Sequence, residues 1–165
     1  FPLPAPTITM IVMTAFLSPL GPQDLRDANI PEPWSYGLQD RVRFGEIDVL
    51  GHVNNSVYLR WFENFRISYF RERILPIIGE RQTIVLRNVG LDFMAEIKPD
   101  ETYILTGRTV ELRRTSFTQH YGVWVDGTLR TTGHAVIVTV ENGQKAPIAQ
   151  NLRQALIELD GAAEL

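Results

Sequence analysis

The chain has 165 residues, 44% of them hydrophobic and 21% charged, with a formal net charge of -3 and no cysteine. That length suits one domain with one core, and the apolar fraction excludes a disordered chain. Mild acidity without a Lys/Arg run excludes nucleic acid as a partner, and the lack of cysteine excludes disulfides, thiolate nucleophiles and Cys-based zinc sites.

Residues 8–17 form an apolar run, from Ile8 to Leu17. A membrane-spanning helix needs about 20 such residues. A secretory signal carries positive charge before its apolar stretch, whereas the first basic residue here is Arg26. The expected setting is therefore cytoplasmic, with no membrane contact, and Met10 and Met13 are alternative first residues. Residues 1–35 form a Pro-rich arm, broken by Pro19, Pro22, Pro31 and Pro33, with one short helix near Gln23–Asn29.

The regular domain spans residues 36–145. Leu38, Val42 and Phe44 share one parity against polar Gln39, Arg41 and Arg43, which predicts a strand over Leu38–Phe44. A turn-rich stretch, Gly45–Val53, leads into one long helix over Asn55–Ile74. Tyr58, Trp61, Phe62, Phe65 and Tyr69 fall on one stripe, with Leu59, Ile67 and Phe70 on the other side. Such a helix is expected to be buried on both sides, inside a curved sheet. Asn54 or Asn55 is the expected N-cap, and Pro76 and Gly79 the expected terminators.

Four strands follow, over Thr83–Ile97, Glu101–Arg114, Thr115–Asp126 and Thr128–Glu141. Pro99-Asp100, Asp126-Gly127 and Asn142-Gly143 mark the turns. Residues 146–165 supply a C-terminal helix, Ile148–Leu159, and a tail. The predicted class is α+β, one long helix against an antiparallel sheet of about five strands.

The chemistry concentrates in Phe44–Leu59. A carboxylate, Asp48, sits in the loop before the N-terminus of a buried helix, where unpaired N–H groups and the positive dipole end lie. Such N–H groups can hold a carbonyl oxygen as it becomes an oxyanion, while the carboxylate attacks the carbonyl or activates water. On residue type alone, Asp48 reads first as a turn cap and only second as a catalytic group.

The run Asp48-x-x-Gly51-His52-Val53-Asn54-Asn55-x-x-Tyr58-Leu59, followed by Phe62-Glu63, resembles the 4-hydroxybenzoyl-CoA thioesterase-like hot-dog family. Leu91–Asp100 resembles the family's second recurrent block and Arg114-Thr115-Ser116-Phe117 its third, so the likeness runs from about Leu38 to Glu141. The resemblance implies a helix wrapped by an antiparallel sheet and a homodimer or homotetramer that joins its sheets, with active sites at the interface. It also implies acyl-CoA or acyl carrier protein thioesters as substrates, with no metal and no cofactor. By position, Asp48 matches the catalytic aspartate and the N–H of Asn55 the carbonyl-polarising donor.

Glu63 is the alternative catalytic carboxylate, as in a related hot-dog branch; its bland reading is an i,i+3 pair with Arg66. His52, Asn54, Tyr58 and Ser116 are expected to line the substrate site, with His52 also serving to shape its loop. Lys98, Arg108, Arg113 and Arg114 are candidates for coenzyme phosphates. His120 and His134 lie on different strands without metal-ligand spacing. Two departures matter: Phe44 stands where some members have Tyr, and Asn55 where they have His. The expected function is thioester hydrolysis. A hot-dog dehydratase or hydratase and a non-catalytic acyl-thioester binding module are the rivals.

Overall fold

The computed structural model describes residues 16–165; most of the apolar run, residues 8–15, lies outside them, with Met10 and Met13. In chain order the elements are β1 (Ser18–Leu20), α1 (Pro22–Asp27), β2 (Gly37–Arg41), α2 (Val57–Tyr69), α3 (Leu75–Ile78), β3 (Thr83–Phe93), β4 (Thr102–Leu112), β5 (Ser116–Val125), β6 (Thr128–Glu141), β7 (Gln144–Lys145), α4 (Gln150–Asp160) and β8 (Ala163–Glu164). One sheet runs in the order β1-β2-β4-β5-β6-β3. Its pairings are antiparallel except where β8 joins β4 in parallel. The Asp126-Gly127 turn between β5 and β6 has φ of 48° and 70° at its two residues, the twist that a tight hairpin requires.

Helix α2 lies across one face of this sheet. Trp61, Phe62, Phe65 and Tyr69 are buried against Tyr103, Leu105, Tyr121 and Ile137. Phe62 stacks on Tyr121 at 4.4 Å and Trp61 on Tyr103 at 3.9 Å. Each such side chain contributes about 1.5–3 kcal/mol by burial, and the ring pairs about 0.5–1.5 kcal/mol more. The approach is close enough that a Cβ at Gly133 would stand 2.4 Å from the Phe62 ring, so β6 accepts no side chain there.

Three details of the elements differ from expectation. The helix continues past Pro76: it widens into a π turn over Phe70–Ile74 and ends at Gly79, whose φ is 72°. The wide turn sits just before the proline, whose ring would clash with a carbonyl four residues back in a regular helix. The helix is also open on one side, because Leu59 and Ile67 are exposed; a single sheet covers only one face of it. Finally β2 ends at Arg41. Val42 stays buried, but the chain then turns through a 3-10 segment, Phe44–Glu46, that leaves Phe44 96% exposed.

The described part of the arm packs on the sheet's other face. Leu25 and Ile30 bury against Trp124, with Leu20, Trp34, Ile104 and Leu129 around them. Trp124 alternates with core-facing Val123 and Val125, which places this small cluster opposite α2.

At the C-terminus α4 adds Leu152, Ala155 and Leu156 to the main core. Buried Asp160 ties it down, accepting from the Tyr69 hydroxyl at 2.7 Å and the Thr109 N–H at 2.6 Å. Burial pushes the Asp160 carboxyl above its usual value, opposed by the Thr109 and Tyr69 hydrogen bonds and by Arg108. A carboxyl whose folded pKa is raised favours folding most below its unfolded value, and that contribution falls as pH rises through the folded pKa. Wild type is therefore expected to lose stability relative to Asp160→Asn as pH rises above the ordinary carboxylate range, a difference read from paired thermal melts below and above it; parallel curves would contradict it.

Candidate active site

The loop Phe44–Ser56 is a small, self-bonded structure that presents one carboxylate. Ile47 and Val53 form an isolated antiparallel bridge. Within it the Asp48 N–H donates to the His52 carbonyl at 2.9 Å and the Gly51 N–H to the Asp48 carbonyl at 3.1 Å. Gly51 has φ of 85°, a conformation costly for any residue with a Cβ. The loop is anchored from below by Glu46, which is buried. Its carboxylate accepts from the Trp61 indole N–H at 2.9 Å and the Arg43 N–H at 2.8 Å, and its carbonyl accepts the Asn54 N–H. Glu46 was not singled out from sequence, and nothing in its spacing distinguishes it from a solvated acidic residue.

Asp48 uses its two oxygens differently. Oδ1 accepts the Leu50 N–H at 2.8 Å, as a turn-capping aspartate does. Oδ2 lies 3.5 Å from Nδ1 of His52; the side chains are 21% and 27% exposed. Both the turn reading and the presentation of a carboxylate thus hold for the same residue.

The N-cap of α2 is Ser56, so neither Asn54 nor Asn55 holds the expected capping position. Asn54 instead shapes the turn ahead of the helix: its Oδ1 accepts the Ser56 N–H at 2.9 Å and the Ser56 hydroxyl at 2.8 Å, and its carbonyl accepts the Val57 N–H at 2.9 Å. The Asn55 N–H donates to no group among the described residues. It stands at the N-terminal, positive end of α2, and Asn55 lines a cleft there.

That cleft, ≈ 210 Å³, is lined by His52, Val53, Asn55, Tyr58 and the Phe93–Glu96 segment after β3. Tyr58 packs edge-on against Phe93 at 5.1 Å, and burial raises the pKa of its hydroxyl. Asp48 stands behind His52, through which it meets the cleft. So the fold gathers His52, Asn55 and Tyr58 around one space, with Asp48 and Asn54 holding its edge.

The other candidates lie elsewhere in the single chain. Glu63 is two helical turns beyond Asn55, exposed, and lines a separate groove. It forms no ion pair with Arg66, whose guanidinium instead donates to the Tyr121 hydroxyl at 3.4 Å. Ser116 opens β5 opposite Val138, while the far end of that strand, Trp124, pairs with Ile104 beside Tyr103. At about 3.3 Å per residue, nearly the length of β5 separates Ser116 from the Asp48 end. Lys98 pairs with Glu96 at 3.1 Å, and Arg108 donates to the Asp160 carbonyl at 2.9 Å. His120 and His134 face each other across β5 and β6 on the exposed face of the sheet.

The chain matches the model of the thioesterase-like superfamily over residues 42–156. The chain belongs to that family. A thioesterase-superfamily structure from Jannaschia sp. CCS1 superposes with a TM-score of 0.82 at 36% identity, over 92% of this chain and 99% of the other. A thioesterase from Thermus thermophilus, solved with coenzyme A and zinc, gives 0.73 at 32% identity, over 81% and 99%. The uncharacterised protein YsmA of Bacillus subtilis (strain 168) is 29% identical over 119 residues, 70% of this chain and 81% of that protein. The hot-dog class of thioesterase-like proteins accounts for the single long helix and the antiparallel sheet. Among the described residues no helix is long and apolar enough to cross a membrane.

Proposed function

We propose that this chain hydrolyses acyl-CoA thioesters, with Asp48 as nucleophile or general base and the Asn55 N–H as oxyanion donor. The observation that supports this is the Asn55 N–H, unpaired among the described residues, at a cleft that His52 and Tyr58 also line, with the Asp48 carboxylate 3.5 Å from His52. A preorganised donor of this kind is typically worth ~10²–10³ in rate. The Thermus thermophilus relative, solved with coenzyme A, supports coenzyme A as the carrier.

The active form in this reading is a dimer. One end of the sheet is β1, three residues long; the other is β3, eleven residues long and, among the described residues, without a strand on its outer side. Val85 and Leu86 on it are 49% and 43% exposed. A long open edge of this kind invites pairing with another strand. Antiparallel pairing of two β3 strands about their middle brings the Thr83 end of one copy to the Phe93 end of the other. In this reading the cleft that Phe93 lines comes toward the second copy's groove, which Ile84 and Glu63 line.

A second reading is favoured by one observation: His52, not Asp48, lies on the cleft wall. In it an Asp48–His52 pair moves a proton, as a hydratase on β-hydroxyacyl thioesters would need. A free-thiol assay over short, long and aromatic acyl-CoAs and acyl carrier proteins tests the choice. Thiol release that survives in His52→Gln within about tenfold supports Asp48 acting directly. Loss of thiol release in His52→Gln as complete as in Asp48→Asn, or water addition to an enoyl thioester without thiol release, supports the pair.

A further inference from the structure

Between α2 and β3 runs a groove of ≈ 170 Å³, apolar along Ile67, Phe70, Ile84, Leu86 and Ile137 and carrying the charges of Glu63, Arg66 and Arg81. The three charges are not paired with one another. Arg66 is half-buried and its one polar contact is a long bond to the Tyr121 hydroxyl. Arg81 and Glu63, both exposed, have no polar partner among the described residues, so half-buried Arg66 is the cation held most closely against the apolar walls. Two guanidiniums and one carboxylate leave the groove one positive charge in excess. Against apolar walls, a cation without a counter-charge is stronger toward an anion than it is in water, and the guanidinium fork suits carboxylate or phosphate oxygens.

Resting on the dimeric thioesterase reading, we infer that this groove is an anion-binding subsite for the thioester substrate, with Arg66 and Arg81 as its cations. The two-fold pairing of β3 brings the start of one copy's strand, two residues after Arg81, to the end of the other's, two residues before Ala95, which lines the cleft. A thioester carbonyl at Asn55 of one subunit therefore has the other subunit's arginines within reach of one end of its substrate. The anion is either a carboxylate at the far end of the acyl group or a coenzyme phosphate. The apolar walls accept the methylenes that separate such a carboxylate from the thioester.

The test compares glutaryl-CoA with pentanoyl-CoA, equal in chain length and different in the terminal charge, and each with its 3′-dephospho form. Arg66→Met and Arg81→Met are expected to raise KM at least tenfold with kcat within about threefold, and Arg66→Lys to recover most of the loss. A rise confined to glutaryl-CoA identifies the acyl carboxylate. An equal rise for both acyl groups, absent with the dephospho forms, identifies the coenzyme phosphate. Unchanged KM for all four substrates in both Met variants, with melting temperatures intact, overturns the subsite. Calorimetric binding of a thioether analogue of glutaryl-CoA separates this from the function itself. If wild type hydrolyses nothing yet binds the analogue at least tenfold more tightly than the Met variants do, the hydrolase reading fails and the subsite stands. Equal binding by all three removes the subsite.

Discussion

Asp48→Asn is expected to lower turnover by ~10²-fold or more, the usual worth of a positioned acid–base group. The substitution is close to isosteric. The amide oxygen can still accept the Leu50 N–H that now bonds Oδ1, so the turn keeps its shape. What disappears is the negative charge at Oδ2, the atom beside His52. An amide there neither forms an acyl intermediate nor deprotonates water. The cleft wall of His52, Asn55, Tyr58 and Phe93 is untouched, so KM should move far less than kcat. Melting temperature should be level or slightly higher, because active-site charges generally cost stability. Steady-state thiol release by the purified variant checks this. Retention of most wild-type turnover would place the carboxylate elsewhere or remove the hydrolase reading.

Introducing charge on the β3 edge is expected to break the dimer and the activity together. Val85 and Leu86 are about half exposed in the single chain, so Val85→Asp with Leu86→Asp costs a folded monomer little. In a two-fold interface each substitution occurs twice. Four carboxylates then enter a dry seam at several kcal/mol each, against about 12 kcal/mol for a nanomolar dimer. Light scattering should move from dimer to monomer. kcat/KM should fall on the order of 10²-fold, because the substrate loses the half of its site that the second copy supplies. A fully active monomer, or wild type found monomeric and active, would sink the two-subunit site.

Much of this molecule was legible in its residues. The aromatic stripe Tyr58, Trp61, Phe62, Phe65 and Tyr69 read as a helix because a 3.6-residue period is local, and the structure buries all five. Asp126-Gly127 and Asn142-Gly143 read as hairpins because positive φ is a property of those residues, and all four have it. The loop before the helix was also local. Asp48 caps its own turn, and Asn54 bonds Ser56, the N-cap that stands one residue past the asparagines expected there. Local patterns were insufficient at Phe44, which alternated correctly with Leu38 and Val42 but left the strand where Glu46 turned inward to hold Trp61 and Arg43. They were insufficient at Glu63, whose expected partner Arg66 bonds a residue 55 positions away.

The sequence by itself determined the long helix, the four long strands after it, the turn chemistry and the carboxylate before the helix, because each depends on residues that are neighbours along the chain. Tertiary structure alone decided that Glu46 supports the loop, that Asp160 ties α4 to Tyr69 and Thr109, and that His120 faces His134. It alone left the long β3 edge open and gathered Arg66 and Arg81 in one groove. Those outcomes depend on strand order, register and burial, which set which distant residues meet, and no period in the sequence encodes them.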